Sequence, residues 1–92
     1  MQLDIRNYYE VLLMEMLKDE GLMEELPEDY LADLCCVTLN QLPTRYIRHL
    51  VDTYFFEDYN ELQELKREIQ AALEKSRAFL KQNLQRRLEE EQ

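Results

Sequence analysis

Apolar residues recur at helical spacing through most of the chain. Ile5, Tyr8, Tyr9, Leu12, Leu13, Met16 and Leu17 step by threes and fours, with Arg6, Asn7, Glu10 and Glu15 between them. That is the period of a helix with one buried face. It predicts a first helix over about residues 4–20, with Asp4 as its N-cap and Gly21 in the left-handed position that closes a helix. A second helix starts near Pro27, which suits a first turn, and Glu28 and Asp29 favour the positive end of its dipole. Leu31, Leu34, Cys35, Thr38 and Leu42 form its stripe. Pro43 disfavours helical geometry at the residue before it, so the helix should stop near Asn40 or Gln41.

Residues 44–56 fit two patterns. The stretch is dense in β-branched and aromatic residues and contains no Ala, Glu, Lys or Gln, which favours an extended segment around 45–56. A helical arrangement with Ile47, Val51 and Tyr54 or Phe55 on one face also fits. A lone strand needs a backbone partner, and a copy of itself in a second subunit is the expected one.

From about residue 58 to 90 the pattern is helical again. Leu62, Leu65, Ile69, Ala72, Ser76, Phe79 and Asn83 step by alternating threes and fours, beside a second row of Leu73, Leu80, Leu84 and Leu88, with no Gly or Pro. Such a helix spans about 50 Å, more than the remainder of a 92-residue chain can cover. The excess either frays, over a tail of about residues 85–92, or packs on another subunit. The expected architecture is a mostly α, single domain over residues 1–92, with three to four helices and a short extended segment, assembled as a homodimer.

Composition narrows the function. The longest apolar runs are four residues, far below the roughly 20 that cross a bilayer, so no membrane partner is expected. The start of the chain lacks the basic and apolar regions of a signal peptide. Cys35 and Cys36 are adjacent, a strained geometry for a disulfide and a poor metal pair on a helix. With a single His in the chain, no His/Cys zinc cluster forms within one subunit, and no metal or cofactor is expected. These features point to a reducing, cytoplasmic setting.

The net charge is −9, which argues against a general nucleic-acid role. The charge is uneven, however. Residues 1–33 carry ten acids and two bases, whereas residues 66–87 carry seven bases and two acids.

Catalytic patterns are scarce. One Gly excludes a glycine-rich phosphate loop, Ser76 is the sole serine, and His49 the sole imidazole. Paired carboxylates such as Glu24-Glu25 and Glu28-Asp29 fall in an exposed turn. The expectation is a protein that is not an enzyme.

The stretch Leu39-Asn40-Gln41-Leu42-Pro43-Thr44-Arg45-Tyr46-Ile47-Arg48-His49 carries the most chemistry. A helix ends, a proline fixes the turn, and two Arg, one Tyr and one His follow. Guanidinium groups fork onto phosphates, and aromatic or guanidinium planes stack on bases. Asn40, Arg45, Tyr46, Arg48 and His49 are therefore the candidate ligand-binding residues. Doubled about a two-fold axis, they would suit a compact, symmetric dianion. The plainer alternative makes Asn40 a cap and Tyr46 a core residue, with Arg45 and Arg48 answering the acidic first helix.

The segment Leu39–Tyr46 also resembles the late competence development protein family, ComFB, whose members carry a Leu-Asn-x-Leu-Pro-Pro-x-Tyr core between two helical regions. Here Thr44 stands at the second proline. The opening Asn7-Tyr8-Tyr9-Glu10-Val11-Leu12 and the long C-terminal helix are similar too, and the resemblance spans roughly residues 5–82. It implies a small, mostly helical homodimer without enzymatic activity. Some members are receptors for cyclic dinucleotides, chiefly cyclic di-GMP or cyclic di-AMP, linked to motility, competence or cell size. Others have no assigned ligand, and some hold a metal in cysteine pairs that this chain lacks. The expected function is a dimeric signalling protein that binds a cyclic dinucleotide and acts through an unidentified regulatory protein. The alternative is a ligand-free protein–protein interaction module in competence or motility regulation.

Overall fold

A computed structural model describes residues 5–48 and 59–90. In chain order the elements are β1 (Arg6–Asn7), α1 (Tyr8–Asp19), α2 (Leu22–Glu25), α3 (Glu28–Gln41), β2 (Tyr46–Ile47) and α4 (Tyr59–Glu90). The protein is mostly helical, as its periodicity predicts.

Helix α1 begins at Tyr8, later than the apolar spacing suggests. Asn7 is its N-cap, with extended backbone (φ −81°, ψ 117°), and its side-chain oxygen accepts a hydrogen bond from the Tyr9 N–H at 3.3 Å. Ile5 therefore precedes the helix and is exposed, and Asp4 lies outside the described residues. At the other end Gly21 takes φ 74°, the left-handed conformation that only glycine adopts without penalty. The short α2 after it had no signal in the apolar spacing. Helix α3 begins after Pro27 and ends at Gln41, where Leu42 turns to extended geometry ahead of Pro43.

The extended segment has its partner within the same chain. β1 and β2 pair antiparallel, with Arg6 opposite Ile47 and Asn7 opposite Tyr46. This corrects the expectation that a second copy must supply the pairing strand. The physical reason is the late start of α1, which leaves the backbone of residues 6–7 extended and free to bond. The remainder of the expected stretch, residues 49–56, lies outside the described residues.

The core lies between α1, α3 and α4. Tyr8, Tyr9, Leu12, Leu13 and Leu17 from α1 meet Leu34 from α3 and Leu65, Ile69 and Leu73 from α4. Burial of each such side chain contributes about 1.5–3 kcal/mol. Thr38 and Ser76 are also fully buried. The Thr38 hydroxyl donates to Ser76 Oγ at 2.9 Å, Gln41 Nε2 donates to the same oxygen at 2.7 Å, and Ser76 donates to the Ala72 carbonyl at 2.7 Å. Ser76, a polar residue within the apolar row of α4, is thus the centre of a hydrogen-bonded clasp between α3 and α4.

Helix α4 runs for 32 residues, about 48 Å at 1.5 Å per residue, in a molecule 54 Å long and 24 Å thick. Its apolar row is covered as far as Ser76. Phe79 and Leu84 remain 49% and 59% exposed. No described helix is long and apolar enough to cross a membrane.

Candidate ligand-binding site

The Leu42–Pro43 turn delivers the chain from the end of α3 to the β ribbon, and this path positions Arg45. The Arg45 N–H donates to Asn7 Oδ1 at 3.1 Å, and its carbonyl accepts from the Tyr8 N–H at 2.7 Å. Asn7 therefore caps α1 and anchors β2 with one oxygen. The Arg45 side chain reaches α4. Its Nη1 lies 3.1 Å from Glu61 Oε1 in the first turn of α4, and its guanidinium carbon sits 5.9 Å from the centre of the Tyr8 ring. Glu61 of α4 is thus an acidic partner of Arg45. Both side chains are partly open to solvent, at 41% and 49%, where an ion pair stabilises by about 0.2–1 kcal/mol.

Tyr46 is 68% exposed, so it is not a core residue. Arg48 is exposed at the end of the ribbon. Arg6, across the ribbon from Ile47, adds a third guanidinium. Tyr46 and Arg6 border an open groove of about 680 Å³, completed by Ile5, Asn7 and the outer face of α1 at Glu10, Val11, Met14 and Glu15.

Asn40 belongs elsewhere. It lines a separate crevice of about 480 Å³ between α3 and α4, with Val37, Gln41, Lys75 and Phe79. His49 lies outside the described residues. The five candidate residues therefore divide: Arg45, Tyr46 and Arg48 share the ribbon, and Asn40 sits in the other crevice.

The cysteines face different surroundings. Cys36 is exposed, and Cys35 is half-buried. Burial pushes the Cys35 thiol up, and the neighbouring Cys36 and Glu10 add to the effect. Among the described residues no group of three or more His, Cys, Asp or Glu side chains is arranged to hold a metal ion.

The model of the family described as late competence development protein ComFB matches residues 6–84. The chain belongs to the ComFB family. Comparison with curated proteins and with solved structures gave no match. In this ComFB chain the matched region takes in the whole β ribbon, helices α1 to α3 and α4 as far as Leu84. The proline turn and the ribbon after it, with Arg45 and Tyr46, lie inside the matched region.

Inspection of the sequence missed two ribbon residues, Arg6 and Asn7. Asn7 had a usable signal, because an Asn just ahead of an amphipathic run is a helix-start signature. Arg6 had none, since only the pairing of residues far apart in the chain brings it beside Ile47.

Proposed function

We propose that this ComFB-family protein is a non-enzymatic, dimeric signalling protein that binds a cyclic dinucleotide at the β ribbon and passes the signal to a regulatory protein. The observation that carries this reading is the ribbon itself. Arg6 and the exposed Tyr46 border one groove, and Arg45 and Arg48 flank Tyr46 and Ile47 on the same short ribbon, in a protein whose net charge is −9. Guanidinium groups beside an exposed aromatic face are the chemistry that recognises a phosphate next to a base. The Arg45–Glu61 pair does not oppose it, because a solvent-exposed pair is weak enough to exchange its carboxylate for a phosphate. The ComFB resemblance supports the choice of cyclic di-GMP or cyclic di-AMP among such ligands. His49 follows the ribbon in sequence and belongs to the proposed site, and Asn40 does not.

Calorimetric titration of the folded protein with cyclic di-GMP and with cyclic di-AMP tests the proposal. One of the two is expected to bind at micromolar concentration. Arg45→Ala and Arg48→Ala should each weaken binding by about 1.5–3 kcal/mol, the range for hydrogen bonds to charged groups. No heat from either nucleotide at tens of micromolar would reject it in favour of a ligand-free protein–protein interaction module. The open groove beside Tyr46, with its apolar Ile5, Val11 and Met14, is the observation that favours that second reading.

A further inference from the structure

Two exposed surfaces of this chain match each other. On the outer face of α1, Met14 and Val11 form a short apolar ridge, with Met14 37% exposed. At about 100° per residue Glu10 and Glu15 fall on either side of that ridge. Arg6 and Lys18 mark its two ends. On the distal part of α4, Phe79, at the rim of the crevice beside α3, and Leu84 form a second apolar strip, both about half exposed. By the same geometry Lys75 and Arg86 fall on one side of it, and Arg77 and Lys81 on the other. All four bases are exposed. One helix thus presents an apolar stripe between acids and the other an apolar stripe between bases.

We propose that the distal part of α4 of one copy docks on the outer face of α1 of a second copy, reciprocally, so that each subunit supplies one acidic-edged ridge and one basic-edged ridge. The proposal rests on the dimer reading above and assigns its surfaces. The occupant is argued from charge complementarity. A basic-edged helix is favoured on α1 over a solvent-facing position, and the acidic half of a second copy is the surface of opposite sign that the protein itself provides. Reciprocal contacts close the pair and leave neither ridge unmatched.

Sedimentation over a range of concentrations, with circular dichroism to confirm folding, tests it. The wild-type protein is expected to dimerise, more weakly at high salt. Met14→Glu and Leu84→Glu alter exposed positions and should fold normally, yet each should raise the dimer dissociation constant by about 100-fold. Mixing the two variants should restore association, because the intact α1 face of one meets the intact α4 end of the other. A wild-type dimer that tolerates both substitutions would overturn this assignment and leave the dimer reading standing. A wild-type monomer at all concentrations would overturn both. A ladder of larger species would overturn the reciprocal closure.

Discussion

Ser76 shows how much one hydroxyl can hold. It accepts from Thr38 and Gln41 and donates to the Ala72 carbonyl, fully buried between α3 and α4. Replacing it by alanine strands the Thr38 hydroxyl without an acceptor in the core. Ser76→Ala should therefore cost about 1–3 kcal/mol, read as a lowered midpoint in urea unfolding. The double change Thr38→Val with Ser76→Ala should cost less than the sum of the two singles, because the partners leave together. Asn7 is the second residue of this kind. Asn7→Ala removes both the cap of α1 and the acceptor for the Arg45 N–H. It should destabilise by about 1–2 kcal/mol and weaken nucleotide binding as well. Asn7→Asp keeps the oxygen and should restore stability, while its added negative charge beside the ribbon should leave nucleotide binding weakened. Neither residue could be weighed this way from its place in the sequence, since hydrogen bonds over 38 positions leave no local trace.

The helices are the scale at which the sequence was most legible. Spacing located three of them within a few residues, and the local rules for Gly21, Pro27 and Pro43 marked their ends. Where those rules misled, tertiary pairing was the cause. Ile5 and Arg6 fit the helical period of α1, yet the backbone of residues 6–7 gains more by bonding to β2. Phe79 fits the apolar row of α4, yet α3 stops at Gln41 and leaves it in the open. The same row has an energetic gradient. Ile69 is fully buried against α1 and α3, so Ile69→Ala should cost about 2–5 kcal/mol. Phe79→Ala should cost far less in the same thermal or urea unfolding experiment.

At the scale of the whole molecule, one side chain ties three elements together. Arg45 is fixed by its backbone to α1, lies against the Tyr8 ring and pairs with Glu61 at the start of α4. If an anionic ligand uses Arg45, Glu61 competes with it. Glu61→Gln should then leave stability nearly unchanged and tighten nucleotide binding by about two- to fivefold, the equivalent of a weak surface pair. Calorimetry on the variant checks this directly, and unchanged affinity would place the ligand away from Arg45. The division of charge belongs to this scale too. An acidic amino-terminal half and a basic distal helix are plain in the sequence, but their surfaces match only because α1 and α4 each leave one apolar ridge outside the core.

The sequence by itself determined the three longer helices, the ends marked by Gly21, Pro27 and Pro43, the charge division and the proline turn of the ComFB motif, because these depend on neighbours within four or five positions. Tertiary structure decided which residues meet. It set Arg6 beside Ile47, gave Arg45 to Glu61, parted Asn40 from Tyr46 and left Phe79 and Leu84 uncovered. Those outcomes depend on the path of the whole chain and on which surfaces remain after the core has closed, and helical spacing carries no record of either.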